Sequence, residues 1–316
     1  MLFRSRYRNY VIDAFNSDLS YDQFLTEQLA GDLMPPSDSP AVNTRRVIAT
    51  GYLMIGPKAL AETDKEQSRL DIVDDQIDVT GRAMLGLTLA CARCHDHKFD
   101  AIRTRDYYAL AGIFRSTEPF QDENRNATMW WEYPIPQATG VEPLIVMAPK
   151  ESQPKNLRVH LRGNRFTLGR IVPRGVPGIL AAVPKQADAN VLGAPALVTN
   201  GIDPHQMSSG RLELARWIAS ASNPLTARVL VNRVWQMHFG RGIVATSDNF
   251  GTRGEPPSDP ALLDWLTTQF MNDAWRIKQL HRTIVLSSTY RMRNAESAKT
   301  GDQPSDRKST RLNSSH

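Results

Sequence analysis

The sequence predicts a mainly α-helical protein, two helical units joined by a loop-rich segment with short β-strands. Three observations predict it. Apolar residues recur at helical spacing from about Tyr7 to Phe114 and again from Ser209 to Val285. Between Pro119 and about Asn200 that period stops and prolines and glycines multiply. A length of 316 residues, 41% hydrophobic and 22% charged, suffices for two ordinary domains with sizeable cores. The units fall at residues 6–118 and 206–295, with the loop-rich insert at 119–205. No apolar run approaches the roughly 18 residues that a membrane span needs.

Each element follows from its own signals. Tyr10, Val11 and Phe15 place a helix over Tyr7 to Asn16; Phe24, Leu25 and Leu29 place a second over Tyr21 to Ala30, with Ser20 as N-cap and Gly31 as its end. A loop through Pro35, Pro36 and Pro40 leads to a further apolar pattern over residues 43 to 56. The longest periodic segment runs from about Asp64 to Ala90, apolar through Leu70, Val73, Ile77 and Met84, acidic through Asp71, Asp74, Asp75 and Asp78. Thr104 reads as the N-cap of the next helix, with Asp106 in its first turn. Short β-like runs occupy Pro143 to Met147, Leu157 to Leu161 and Phe166 to Val172. In the second unit, one helix runs from Ser209 to Asn223-Pro224, another from Leu225 to Phe239 closed by Gly240, a third is capped by Ser258, and the last spans Trp275 to Ser287.

The chemistry concentrates in Cys91-Ala92-Arg93-Cys94-His95, continued as Asp96-His97-Lys98-Phe99-Asp100. The chain's only two cysteines stand three apart with a histidine directly after, the signature of covalent haem attachment. The two thiols would then form thioethers and the imidazole bind iron from the proximal side. The same pair also reads as a redox dithiol, a disulfide, or half of a zinc site. Zinc is the weakest of these, since no second C-x-x-C or H-x3-5-H follows. The four aspartates read first as a solvated helix face, and alternatively, with His95, His97 and Asp100, as a metal site in which Asp74 and Asp78 serve as ligands or orient an imidazole. Trp130-Trp131 reads as packing rather than a sugar platform. P-loop, G-x-G-x-x-G, G-x-S-x-G and H-E-x-x-H motifs are absent, so no common nucleotide, hydrolase or zincin chemistry is indicated.

Net charge is +5 and the pI about 9.3, but the chain's ends supply much of it. Asp306 to His316, DRKSTRLNSSH, is the codon-by-codon translation of a common sequencing adapter, and Leu2-Phe3-Arg4-Ser5 matches the other adapter end. Residues 1–5 and 306–316 are therefore expected to be adapter read-through, and the chain a piece of a longer protein. Leaving them out removes four positive charges and one negative, so +5 becomes +2 and nucleic-acid binding loses its main support.

The stretch GRAMLGLTLACARCHDHKFDAIRTRDYYALAGIF resembles the planctomycete cytochrome-like domain of large secreted proteins. SSGRLELARWIASASNPLTARVLVNRVWQMHFGRGIV and NFGTRGEPPSDPALLDWL resemble the planctomycete-specific domain that usually follows it. The resemblance implies a secreted or periplasmic protein expected to bind haem c, with a redox partner such as a cytochrome c domain of the same full-length chain; it carries no reaction, since both domains are of unknown function. On this reading Cys91 and Cys94 are the thioether ligands and His95 the proximal ligand. The sixth position falls to His238, Met237, Met207 or His281, with His238 preferred, and electron transfer is the expected role. The rival reading is a secreted metal-dependent or carbohydrate-active protein with a Cys91–Cys94 disulfide and a divalent ion held by His95, His97, Asp100 and Asp74 or Asp78. A purely structural module is the third.

Overall fold

The computed structural model describes residues 2–56, 64–119, 132–136, 141–180 and 208–292. Trp130, Trp131, Met207 and the 306–316 stretch lie outside them. The structure is mainly helical with short strands, as the periodicity predicts. The first helical unit comprises α1 (Leu2–Asn16), α2 (Tyr21–Ala30), α3 (Pro40–Ala49), α4 (Lys65–Thr80) and α5 (Thr104–Arg115). Six short strands follow, β1 (Thr117–Glu118), β2 (Glu132–Ile135), β3 (Leu144–Met147), β4 (Lys150–Glu151), β5 (Leu157–His160) and β6 (Leu168–Val172), paired antiparallel as β1 with β4, β2 with β3 and β5 with β6. The second unit holds α6 (Arg211–Ile218), α7 (Thr226–Phe239), α8 (Pro260–Asn272), α9 (Ile277–Leu286) and the short α10 (Ser288–Arg291). Among the described residues, no helix is long and apolar enough to cross a membrane.

One apolar core serves both helical units. Leu29 of α2, Ile77 of α4 and Ile113 of α5 share it with Leu214 and Ile218 of α6, Val231 of α7, Phe270 of α8 and Ile284 of α9. Each fully buried side chain of this kind contributes about 1.5–3 kcal/mol. A charged cluster ties the same segments together. Arg211, fully buried, donates to Asp32 through two nitrogens (3.0 and 2.7 Å), to Glu151 (2.7 and 3.1 Å) and to the Leu29 carbonyl (3.0 Å). Burial works against its charge, but the two carboxylates outweigh that and raise its pKa.

Several helix ends differ from the sequence reading. The long pattern from Asp64 to Ala90 is not one helix. α4 stops at Thr80, a π-turn covers Gly81–Leu85, and Gly86 takes a left-handed conformation (φ 63°) that turns the chain back, with Leu87 N–H donating to the Gly81 carbonyl. Thr104 is the first helical residue rather than the cap, and its N–H is met by Asp96 Oδ1 at 2.8 Å. Ser20 makes no capping bond. Asp259, not Ser258, caps α8 by accepting from Leu262 N–H at 2.9 Å, with Pro260 in the first turn. Asn223 does not so much close α6 as start α7, its Oδ1 accepting from Leu225 and Thr226 N–H.

Candidate functional site at the cysteine turn

Beyond Gly86 the chain forms a 3-10 turn over Leu89–Arg93. Its tight repeat sends Leu89 and Ala92 into the core and leaves Cys91, Cys94 and His95 facing outward. Both thiols are free and exposed. His95 Nδ1 lies 2.7 Å from the Asp96 carbonyl. A carbonyl only accepts, so Nδ1 carries the proton and the Nε2 lone pair is left for another partner.

His97 is used differently. Its Nδ1 accepts from the backbone N–H of Asp100 (2.8 Å) and Phe99 (3.3 Å), which puts its proton on Nε2, 3.1 Å from Thr88 Oγ1. Its own N–H donates to the Ile102 carbonyl. With its side chain only 7% exposed, His97 is the pin of the loop that carries His95. Asp100 fastens that loop to the second unit, Oδ1 accepting from Thr252 N–H (2.7 Å) and Oγ1 (2.9 Å). Phe99 lies under the guanidinium of Arg253, 4.9 Å from the ring centre. Further back, Phe250 N–H donates to the Gly86 carbonyl, and Arg233 to the carbonyls of Ala83 and Arg82. The loop at 242–257 thus grips both sides of the cysteine turn.

The acidic face of α4 is tied up in local pairs. Arg93, between the cysteines, reaches Asp74 (3.2 Å) and Asp71 (3.5 Å); Tyr107 donates to Asp74 (2.6 Å); Asp78 pairs with Arg82 (2.9 Å). Burial, with Asp74 beside it, raises the Tyr107 pKa, so the phenol stays a donor. Among the described residues, no group of three or more His, Cys, Asp or Glu is arranged to hold a metal ion. His238, at the end of α7, has its Nε2 2.7 Å from Nδ1 of His281 on α9, and its ring stands edge-on to Tyr290. These contacts join His238 to its own helical unit, not to the cysteine turn. The neighbouring Met237 is 78% exposed.

The β5–β6 hairpin closes the site from the other side. Its turn carries Arg162 (φ 55°) and Gly163 (φ 75°), and a Cβ added at Gly163 would stand 2.5 Å from Cys94 Sγ. Tyr108 stands edge-on to His160, its hydroxyl 3.1 Å from the Arg93 carbonyl and 3.4 Å from that of His160; burial pushes the phenol pKa up to about 12. Sequence reasoning missed Thr88, Asp96, Gly163 and Thr252. It named both strands of the hairpin but passed over their charge, although residues 152–174 hold six Lys or Arg and no acidic residue, a signal readable without a structure.

Fold and site together define a class: a mainly helical protein presenting a C-x-x-C-H turn with free thiols and an open imidazole nitrogen. Residues 2–119 match the family model PSCyt2, and residues 210–315 match PSD1. They are described as proteins of unknown function, DUF1549 and DUF1553 respectively. The two stand in the order that the resemblance implies. The second match continues into the stretch resembling adapter sequence. No match was found among curated proteins or among solved structures.

Proposed function

We propose that the chain is a c-type haem-binding, cytochrome-like protein that works outside the cytoplasmic membrane and passes electrons. The observation that carries this reading is His95. Its Nδ1–H is held by a backbone carbonyl and the residue is exposed, which leaves Nε2 as a ligand nitrogen of set tautomer, in the residue directly after the motif that carries two exposed free thiols. The residues fit the group: Cys91 and Cys94 would supply the thioether sulfurs and His95 Nε2 a nitrogen to bind its iron. Haem, when bound, supplies the one-electron couple. The protein's part is to hold the turn rigid, through His97 and Asp100, and to back it with the apolar core under Ala92. The divalent-metal reading has less support, since His97, Asp74, Asp78 and Asp100 all have other partners.

The test is a pyridine haemochrome spectrum of the chain exported in a host that matures c-type cytochromes, with Cys91→Ser/Cys94→Ser as control. A thioether-type spectrum lost in the control is expected. A colourless product from a host that matures a reference cytochrome would overturn the proposal.

A further inference from the structure

Beside the cysteine turn lies a cleft of about 670 Å³, within the usual size range of small-ligand sites. One wall is the first turn of α5, with Arg103 and Arg105; the other is the β5–β6 hairpin, with Val159, Leu161 and Arg170. Asp96, next to His95, lines it as well. Neither cysteine lines the cleft, but the hairpin turn that ends its far wall at Leu161 is the one resting on Cys94 through Gly163.

Its charge is one-sided. Three guanidinium groups line the cleft against one lining carboxylate, Asp96, which already spends Oδ1 on the Thr104 N–H; Arg105 also has Asp106 Oδ1 at 3.8 Å, so Arg103 and Arg170 carry most of the excess charge. Between the cations lies an apolar strip: Leu161 is 48% exposed and Val159 is partly so. Cationic rims around apolar surface recognise an apolar body that bears carboxylates, since guanidinium pairs carboxylate through parallel N–H donors.

We propose that this cleft is a binding site for such a ligand, with Arg103, Arg105 and Arg170 as the carboxylate partners. Two sources share that chemistry: the propionates of a porphyrin held at the cysteine turn, which rests on the haem reading above, and a free organic carboxylate, which does not.

The experiment uses the full chain with Cys91→Ser and Cys94→Ser, so that covalent attachment plays no part. Three probes are titrated: protoporphyrin IX, its dimethyl ester, and octanedioate, an aliphatic dicarboxylate, with binding followed by fluorescence for the porphyrins and by calorimetry for octanedioate. For the porphyrin source, protoporphyrin binds about ten-fold or more tightly than the ester, and Arg103→Gln/Arg170→Gln removes that advantage without changing ester binding. Arg103→Lys/Arg170→Lys keeps part of it, which separates lost charge from a damaged fold. For the free source, octanedioate binds with the same arginine dependence while neither porphyrin binds; the carboxylate site then stands and the haem reading, tested separately by the haemochrome, loses its companion. Binding indifferent to esterification and to the arginines, or no binding of any probe, overturns the proposal.

Discussion

His95 and His97 stand two residues apart in one motif and are fixed by opposite hydrogen-bond patterns. His95 donates from Nδ1 and keeps Nε2 open; His97 accepts at Nδ1 and spends Nε2 on Thr88. The sequence shows both imidazoles but not this division, because it depends on which backbone groups the loop turns toward each ring. His97→Ala would leave the Asp100 N–H without its acceptor at a nearly buried position. It is expected to destabilise the protein by about 1–3 kcal/mol, measured by denaturant unfolding, while leaving Cys91 and Cys94 as accessible to a thiol reagent as before. A second prediction concerns pH. Burial lowers the pKa of His160, helped by Arg93, and that of His281, helped by His238; Lys278 and Asp18 share a cleft with His281. A histidine whose folded pKa lies below its unfolded value stabilises the fold while neutral. As pH falls the unfolded chain takes the proton first, so this stability is present above the ordinary histidine value of about 6.5 and is lost below it. The unfolding midpoint is expected to drop between about pH 7.5 and 5.5, and less so in His160→Gln/His281→Gln; a drop of the same size in that variant would assign the effect to other groups.

At the scale of elements, the periodic pattern located most of the helices and three of the six described strands, and their ends less well. Leu70, Val73 and Ile77 announce α4 correctly, but nothing in the apolar period marks where it breaks, since Met84 and Leu85 continue the stripe through the π-turn. The break is set by Gly81, where a Cβ would meet the Leu87 carbonyl at 2.9 Å, and by the left-handed Gly86 packed on Phe250. These are tertiary constraints that a single element's sequence carries only as two glycines. Gly86→Ala is expected to cost about 1–2 kcal/mol for the conformation alone. Because that residue aims the cysteine turn, the variant should also weaken protection of the Phe250 amide, which donates to the Gly86 carbonyl, in hydrogen exchange; unchanged protection would mean that the turn is held without it. The hairpin shows the converse. Its strands were legible as β5 and β6, while its basic content and its contact with Cys94 were not put together, because the contact links residues about seventy apart in the chain.

On the scale of the whole molecule, the two helical units share one core and are locked by Arg211, which joins Asp32 of the first unit and Glu151 of the β segment to α6. The sequence signals the two units through their separate periodicities, yet a buried arginine leaves no periodic trace. Breaking a buried, hydrogen-bonded ion pair costs about 3–5 kcal/mol, so Arg211→Ala should lose that much in denaturant unfolding; a loss below about 1 kcal/mol would mean that the cluster is not what holds the units together. The same docking presses the 242–257 loop onto Asp100 and Phe99, which makes the second unit part of the cysteine site's support.

The measurement that bears most directly on the proposed function is the haem content and ferric absorption spectrum of the matured chain in His95→Gln and His97→Gln, side by side with the unaltered protein. If His95 is the residue that would bind the iron and His97 the loop's pin, His95→Gln shifts the ferric spectrum through loss of that nitrogen, while His97→Gln keeps the spectrum and lowers only thermal stability. An unchanged spectrum in His95→Gln, or the same spectral change in both variants, would contradict the assignment.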